Sequence, residues 1–261
     1  MRLIVTRPAA QASPWVSALR ALGCDARSLP LIDIAPLADT APLQATWQRL
    51  QQPPTVALVM FVSANAVQHF VAAQGPGAAW PAGVRAGSVG PGTTAALRKA
   101  GVPAELIDEP AADAHSFDSE ALWARLAGRD WQGRPTLIVR GEEGRDWLAD
   151  TLRARGATVG FVAAYRRCPP VPDAAGRALL ASAMAEPARH LWIFSSSEAV
   201  GHLRALAPGA SWAASAALAS HPRIAAAARA AGFGQVAQVE PKPEAVAAWL
   251  HQGPRLQSAP L

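Results

Sequence analysis

Short apolar runs alternate along this chain with alanine- and leucine-rich stretches of helical spacing, and the whole alternation occurs twice. Leu3-Ile4-Val5 opens one half and Thr136-Leu137-Ile138-Val139 the other. Each is followed by a predicted helix that ends at Gly23 or Gly156, where glycine adopts the left-handed conformation that closes helices. A second strand is predicted over residues 26–32 and again over 158–164. Later in each half, residues 56–61 and 191–194 are uninterrupted apolar runs, the pattern of strands buried on both faces. Ser63-Ala64-Asn65 and Ser195-Ser196-Ser197-Glu198 then start helices, with small hydroxyl residues placed to cap them. Strands at 85–89 and 216–219 lead through Gly90-Pro91-Gly92-Thr93-Thr94 and Ser220-His221-Pro222-Arg223 into helices that run to Gly101 and Gly232. Alternating strands and helices predict an α/β fold with parallel sheets flanked by helices.

The two halves share more than a pattern. Arg7 returns as Arg140, Leu19-Arg20-Ala21 as Leu152-Arg153-Ala154, and Phe61, Ser63 and His69 as Phe194, Ser196 and His202, each 133 residues on. A constant offset over so long a stretch argues for a duplicated unit. Solenoid repeats run roughly 20–50 residues, so this period is instead that of a small domain. Two similar domains in one chain create a cleft, where ligands usually sit. Two connectors, 30–36 and 165–172, occupy matching places and both run into proline. Segments 105–120 and 203–215 read as loops or irregular helices, and the tail after Gly253 as frayed.

Composition narrows the ligand. Charged residues make up 16% of the 261, the net charge is +5, and Lys99 and Lys242 are the only lysines. The cationic excess is arginine, whose planar fork grips carboxylate or phosphate bidentately. No basic run or RNA-type aromatic motif points to nucleic acid. Cys24 and Cys168 form no CxxC pair and the six histidines no metal-binding array, which predicts a reduced, cytoplasmic protein without a metal. The apolar stretches are too short for a signal peptide or a membrane span.

Candidate chemistry sits at the strand-to-helix loops beginning at Ser63, Gly90, Ser195 and Ser220. In open parallel sheets, ligands bind beyond the carboxyl ends of the strands, where helix N-termini present free N–H groups and a positive dipole end to anions. Gly90-Pro91-Gly92-Thr93-Thr94 lacks the third glycine of a dinucleotide loop and the lysine of a P-loop. Tyr165, the single tyrosine, starts the second connector, and a phenol can act as a general acid. Arg7 and Arg140 end the opening strands as candidate carboxylate grips; a salt bridge to a neighbouring loop is the other reading of each. Asp33 reads as a structural hydrogen-bond partner, His69 and His202 as sharing a packing role, and Trp15, Trp147 and Trp249 as core. No Ser-His-Asp or paired-carboxylate arrangement is present. The residues by themselves give a two-domain α/β protein with an anion-friendly cleft.

Five pieces, in order, resemble the uroporphyrinogen-III synthase family: Val5-Thr6-Arg7-Pro8, Phe61-Val62-Ser63-Ala64-Asn65-Ala66-Val67, Val89-Gly90-Pro91-Gly92-Thr93, Tyr165, and Phe194-Ser195-Ser196-Ser197-Glu198-Ala199-Val200. They span nearly the whole chain. The resemblance implies two similar flavodoxin-like domains with parallel sheets, joined by a two-stranded linker, with a ligand cleft between them. It also implies an exchanged connection, residues 1–35 joining 171–261 as one domain and 36–170 forming the other. The implied monomeric enzyme closes the linear tetrapyrrole hydroxymethylbilane to uroporphyrinogen III, losing water and inverting ring D, with no cofactor and with the preceding haem-pathway enzyme as a possible partner. Tyr165 is the implied proton donor. Arg7, Ser63, Gly90, Thr93, Arg140, Ser195, Ser196 and Arg223 are the expected substrate contacts. The chain departs from the family at Val62, where threonine is common, and at Ser220-His221-Pro222-Arg223, where Gly-Pro-Thr-Thr is common, so that Arg223 replaces a hydroxyl contact with a charged one. A competing reading is a non-catalytic, two-domain anion-binding or regulatory relative. Because no metal spacing is present, activity is expected to survive exhaustive dialysis against a chelator; loss that a divalent ion restores would contradict this.

Overall fold

The computed structural model describes residues 1–52, 56–75, 79–114 and 118–252. In chain order the elements are β1 (Arg2–Val5), α1 (Ala9–Ala21), β2 (Asp25–Ser28), β3 (Asp33–Pro36), α2 (Ala41–Leu50), β4 (Leu58–Phe61), α3 (Ala64–Ala72), β5 (Arg85–Ser88), α4 (Pro91–Lys99), β6 (Ile107–Asp108) and α5 (Ser119–Leu126). There follow β7 (Pro135–Gly141), α6 (Trp147–Ala154), β8 (Thr158–Cys168), α7 (Ala174–Ala185), β9 (His190–Phe194), α8 (Ser197–Leu206), β10 (Ala216–Ala219), α9 (Pro222–Ala230), β11 (Gln235–Gln238) and α10 (Pro243–His251). Short 3-10 turns precede β6 and β9. The strands form two sheets, one ordered β11-β10-β9-β1-β2, the other β3-β8-β7-β4-β5-β6.

The chain divides into two compact units: Met1–Asp33 with the part from Cys168 onward, and Ile34–Arg167. It leaves the first unit inside β3 and returns at the end of β8, and these strands are neighbours in the six-stranded sheet. Apart from β3, the sheets correspond strand for strand. β2-β1-β9-β10-β11 matches β8-β7-β4-β5-β6, and all these neighbours pair in parallel. Each sheet therefore combines the opening strands of one repeat with the later strands of the other. β1 pairs with β9 from Arg2 opposite His190 to Val5 opposite Ile193, and Thr6 extends the contact by donating its hydroxyl to the Ile193 carbonyl at 2.7 Å.

The apolar runs are strands because both their faces are covered. Every residue of β4, β9 and β10 is buried. In the first unit α1 and α10 cover Leu3, Val5, Leu191 and Ile193, while Trp192 and Phe194 pack with Trp212 and Phe233. In the second unit Phe61, Phe70, Trp47 and Trp80 make edge-on and tilted ring contacts. The helices after β1 and β7 run into Gly23 and Gly156 at φ 81° and 86°, a conformation that side-chain-bearing residues disfavour.

Several expectations change. The strand predicted over 26–32 is four residues long and starts at Asp25; Pro30 has no N–H to continue a ladder. The connectors are partly strands, as β3 and the far end of β8. Segment 105–120 holds β6 and the start of α5, and α8 continues into 203–206. Residues 115–117 and the tail after Gly253 lie outside the described residues. Trp147 is no core residue but stands 39% exposed at the start of α6. Trp15 and Trp249 are half-buried against the first core. No described helix is long and apolar enough to cross a membrane.

The edge of the second sheet is fastened by charge. Asp108, 7% exposed in β6, accepts two hydrogen bonds from Arg85 at 2.6 and 2.8 Å and two from Arg129 at 2.6 and 2.7 Å. Burial alone would raise the Asp108 pKa, but the bonds from Arg129 and Arg85 outweigh it and hold the carboxyl below its ordinary 3.8. The folded state thus favours the charged form, and the stability this supplies is present above the unfolded value and disappears as pH falls through the folded one. Asp108→Asn is expected to lower the unfolding free energy by about 2 kcal/mol at neutral pH. The variant's urea midpoints should then fall less steeply than the parent's below about pH 4.

Candidate functional site

Both units gather their candidate residues at the carboxyl ends of adjacent parallel strands. In the second unit Ser63 follows β4, Gly90 follows β5, Arg140 lies near the end of β7 and Tyr165 late in β8, and these four strands are consecutive in the sheet. In the first unit Arg7 follows β1, Ser195 and Ser196 follow β9, and Arg223 lies just beyond β10, again on consecutive strands.

Ser63 is the N-cap of α3, and its Oγ accepts from the Ala66 N–H at 3.1 Å. The same oxygen lies 3.2 Å from the Tyr165 hydroxyl. A phenol thus reaches the positive end of a helix through one serine. Tyr165 is 2% exposed, and its ring stands 5.9 Å from that of His69, centroid to centroid, at an interplanar angle of 30°. Burial pushes the His69 pKa down, so a neutral imidazole faces the phenol at physiological pH. β8 is irregular here: Arg140 pairs with Ala163 and Gly141 with Tyr165, leaving Ala164 as an extra residue.

The loop after β5 is built differently. Gly90 caps α4 with extended backbone and its carbonyl accepts from Thr93 and Thr94 at 3.0 Å. Pro91 has no N–H, and a Cβ on Gly92 would meet nothing within 4 Å, so a ligand can approach the backbone there. Beneath it runs a chain of hydroxyls. Thr94 donates to Glu109 at 2.7 Å and lies 2.9 Å from Ser88 Oγ, which in turn accepts from the Gly90 N–H at 3.2 Å. Thr93 is buried at the first turn of α4. A cavity of about 260 Å3 opens beside Gly90 and Glu109.

The duplicated arginines have diverged. Arg140 donates to Asp146 at 2.5 Å and lies over the Phe161 ring at 4.2 Å, the loop ion pair that was the alternative for it. Arg7 instead lies over Trp15, 4.2 Å from the ring centroid, and its buried Nε has no hydrogen-bond partner among the described residues. Desolvation by burial lowers its pKa, a cost that an approaching carboxylate would offset. Ser196 caps α8 by accepting from Glu198 at 3.2 Å, and Ser195 stands half-buried just before it. His221, rather than Ser220, caps α9, its Nδ1 accepting from the Arg223 N–H at 3.2 Å. The Arg223 side chain is exposed on the first turn of that helix. His202 differs from its counterpart His69, its Nδ1 donating to the Leu31 carbonyl at 2.7 Å. A cavity of about 830 Å3 in the first unit, between β2 and α7, includes none of these residues.

Sequence reasoning missed the Ser88–Thr94–Glu109 chain, although Thr94 sits in a loop it singled out. Trp15, half-buried against the first core, is in addition a platform for Arg7, a role that sequence reasoning missed; an arginine eight residues before a tryptophan in a helix is a faint signal for it. Among the described residues no three His, Cys, Asp or Glu are grouped to hold a metal ion.

Known proteins agree on one family. The family model described as "Uroporphyrinogen-III synthase HemD" matches residues 13–248. A uroporphyrinogen-III synthase of Salmonella typhimurium is 35% identical over 180 residues, 69% of this chain and 70% of that protein. The Escherichia coli protein of the same name is 32% identical over 170 residues, 64% of this chain and 65% of its own length. In fold, the chain is similar to a uroporphyrinogen III synthase mutant from Thermus thermophilus, with TM-score 0.57, 18% identity and coverage of 97% and 96% of the two chains. It is likewise similar to a uroporphyrinogen-III synthetase from Helicobacter pylori, with TM-score 0.55, 15% identity and coverage of 97% and 99%. Ser63→Ala removes the α3 cap and is expected to cost about 1 kcal/mol of stability, read as a lowered urea midpoint with an unchanged slope.

Proposed function

The chain belongs to the uroporphyrinogen-III synthase family, and from that premise we propose how its own residues carry the family's reaction. The protein cyclises hydroxymethylbilane in tetrapyrrole biosynthesis. The linear substrate loses its terminal hydroxyl as water, that oxygen taking a proton from the enzyme, and becomes a protonated azafulvene. The substituted carbon of ring D then attacks this electrophile, and the resulting spiro pyrrolenine fragments and recloses with that ring inverted. Without guidance the bilane closes to the non-inverted isomer I. The enzyme's task is to hold a long, eightfold anionic chain so that the substituted carbon arrives first, which is catalysis by positioning.

The observation that carries this reading is the 3.2 Å contact between the Tyr165 hydroxyl and the capping Ser63 Oγ. The departing hydroxyl needs a proton, and the Tyr165 phenol supplies it. The phenolate left behind is stabilised through Ser63 by the N-terminal end of α3. The proton returns to the phenol when the macrocycle loses its surplus one, so water is the only net product besides the ring. Carboxylates of the substrate are taken by Arg7, whose buried Nε has no hydrogen-bond partner among the described residues, and by the loop of Gly90 and Thr93. Ser195, Ser196 and Arg223 serve the same purpose in the first unit, and Arg140 does so by exchanging Asp146 for a substrate carboxylate. The reading extends to a cytoplasmic protein, supported by the free Cys24 and Cys168. It also names the enzyme that releases the bilane as a partner, on the ground that this intermediate closes by itself when left in water.

The test supplies freshly made hydroxymethylbilane and resolves isomers I and III after oxidation. Tyr165→Phe is expected to slow formation of isomer III by about 10-fold or more, since a positioned general acid contributes roughly 10²–10⁴-fold. Unchanged rate and isomer ratio would remove Tyr165 from the mechanism.

A further inference from the structure

We propose that Gly141 is a positioning residue for the Tyr165 phenol, its missing side chain leaving the seat in which the ring lies. The inference rests on Tyr165 as the proton donor. Gly141 is the last residue of β7 and pairs with Tyr165 across the irregularity that leaves Ala164 extra in β8. The next residue locks this register, the Glu142 N–H donating to the Tyr165 carbonyl at 3.0 Å. A Cβ added to Gly141 would stand 3.1 Å from Cε2 and 3.2 Å from Cζ of Tyr165. Cζ carries the hydroxyl, so the contact falls on the reacting end of the ring rather than on its stem.

Backbone conformation gives no other reason for glycine here. Gly141 is not among the glycines with positive φ, and glycine inside a strand ordinarily weakens it. Alanine would therefore suit the strand better and the phenol worse. Its methyl would need the ring to yield by a few tenths of an ångström, against the 3.2 Å contact that ties the hydroxyl to Ser63. The β8 bulge and Gly141 together thus aim one atom: the bulge sets the direction of the side chain, and the glycine sets how close to the β7 backbone it lies.

The experiment compares Gly141→Ala, Tyr165→Phe and the double variant, and follows the phenol directly. Tyr165 is the only tyrosine, so growth on ring-fluorinated tyrosine gives one fluorine resonance in the whole protein. Gly141→Ala is expected to leave the urea midpoint unchanged or raised, to move that resonance, and to lower kcat about 3- to 10-fold with KM within about 2-fold, given that 1 Å of misplacement can cost about 10²-fold. In the Tyr165→Phe background, which has no hydroxyl to misplace, the same substitution should change the rate less than about 2-fold. A normal kcat and an unmoved resonance in Gly141→Ala, with Tyr165→Phe still slow, would overturn the positioning role alone. A fast Tyr165→Phe would instead overturn the proton donor on which it rests. Should Gly141→Ala fail to fold, Gly141→Ala with Tyr165→Ala decides: recovery of the fold places the clash at the ring, and continued unfolding overturns the proposal.

Discussion

β1 obtains one of its two pairing strands from a segment far along the chain. Arg2 to Val5 pair with His190 to Ile193 on one side and with Asp25 to Ser28 on the other, and buried backbone groups left without such partners are costly. The first sheet cannot close until residues from both ends are present, whereas the second is built from one continuous stretch. Closing so long a loop adds entropy only logarithmically in length. The cost is met by a strand whose Leu3, Ile4 and Val5 are wholly buried and by the Thr6 hydroxyl fastened to Ile193. Arg7 follows at once, so the same pairing that completes the sheet delivers a guanidinium to its carboxyl edge.

Parallel pairing then fixes where chemistry can occur. Every strand from β8 to β6, and from β2 to β11, points its carboxyl end the same way within its sheet, so the following helices all begin on that edge. The caps at Ser63, Gly90, Ser196 and His221 are first of all answers to unsatisfied N–H groups. Function is laid over this structural need. Ser63 Oγ satisfies Ala66 and also meets a phenol; Ser196 Oγ satisfies Glu198. The duplicated positions have drifted apart in the same manner, Arg140 paired with Asp146 and Arg7 lying over Trp15 with no partner for its Nε among the described residues.

Features fixed by neighbours in the chain were the legible ones. Apolar runs gave β4, β9 and β10 nearly to the residue, Ser63 announced a helix start, and the constant offset announced twin α/β sheets. What escaped depended on contacts distant in sequence or on a single backbone irregularity. Ser63 and Tyr165 are 102 residues apart, and nothing in either segment says that their oxygens meet. The bulge at Ala164 leaves no mark in the sequence, which reads as a strand over 158–164 running into a connector from 165. Gly141 drew no notice in the sequence, because its significance lies in what stands opposite. Trp147 was misjudged since helical spacing marks a face but not whether that face has a cover. β6 is held by Asp108 and two arginines from different segments, an arrangement that apolar patterning cannot report.

The exchange of opening strands bears on how such a molecule can change over generations. A gene cut at the boundary of the repeats would yield two products, each with an opening strand–helix–strand unit and three later strands that belong to different sheets. Neither product could rebuild a native sheet from its own chain alone. The duplication is therefore locked: one copy cannot be deleted, shuffled into another gene or left to decay while the other works. Divergence has had to proceed in place, position by position, and the unequal fates of Arg7 and Arg140 are its record within a single reading frame.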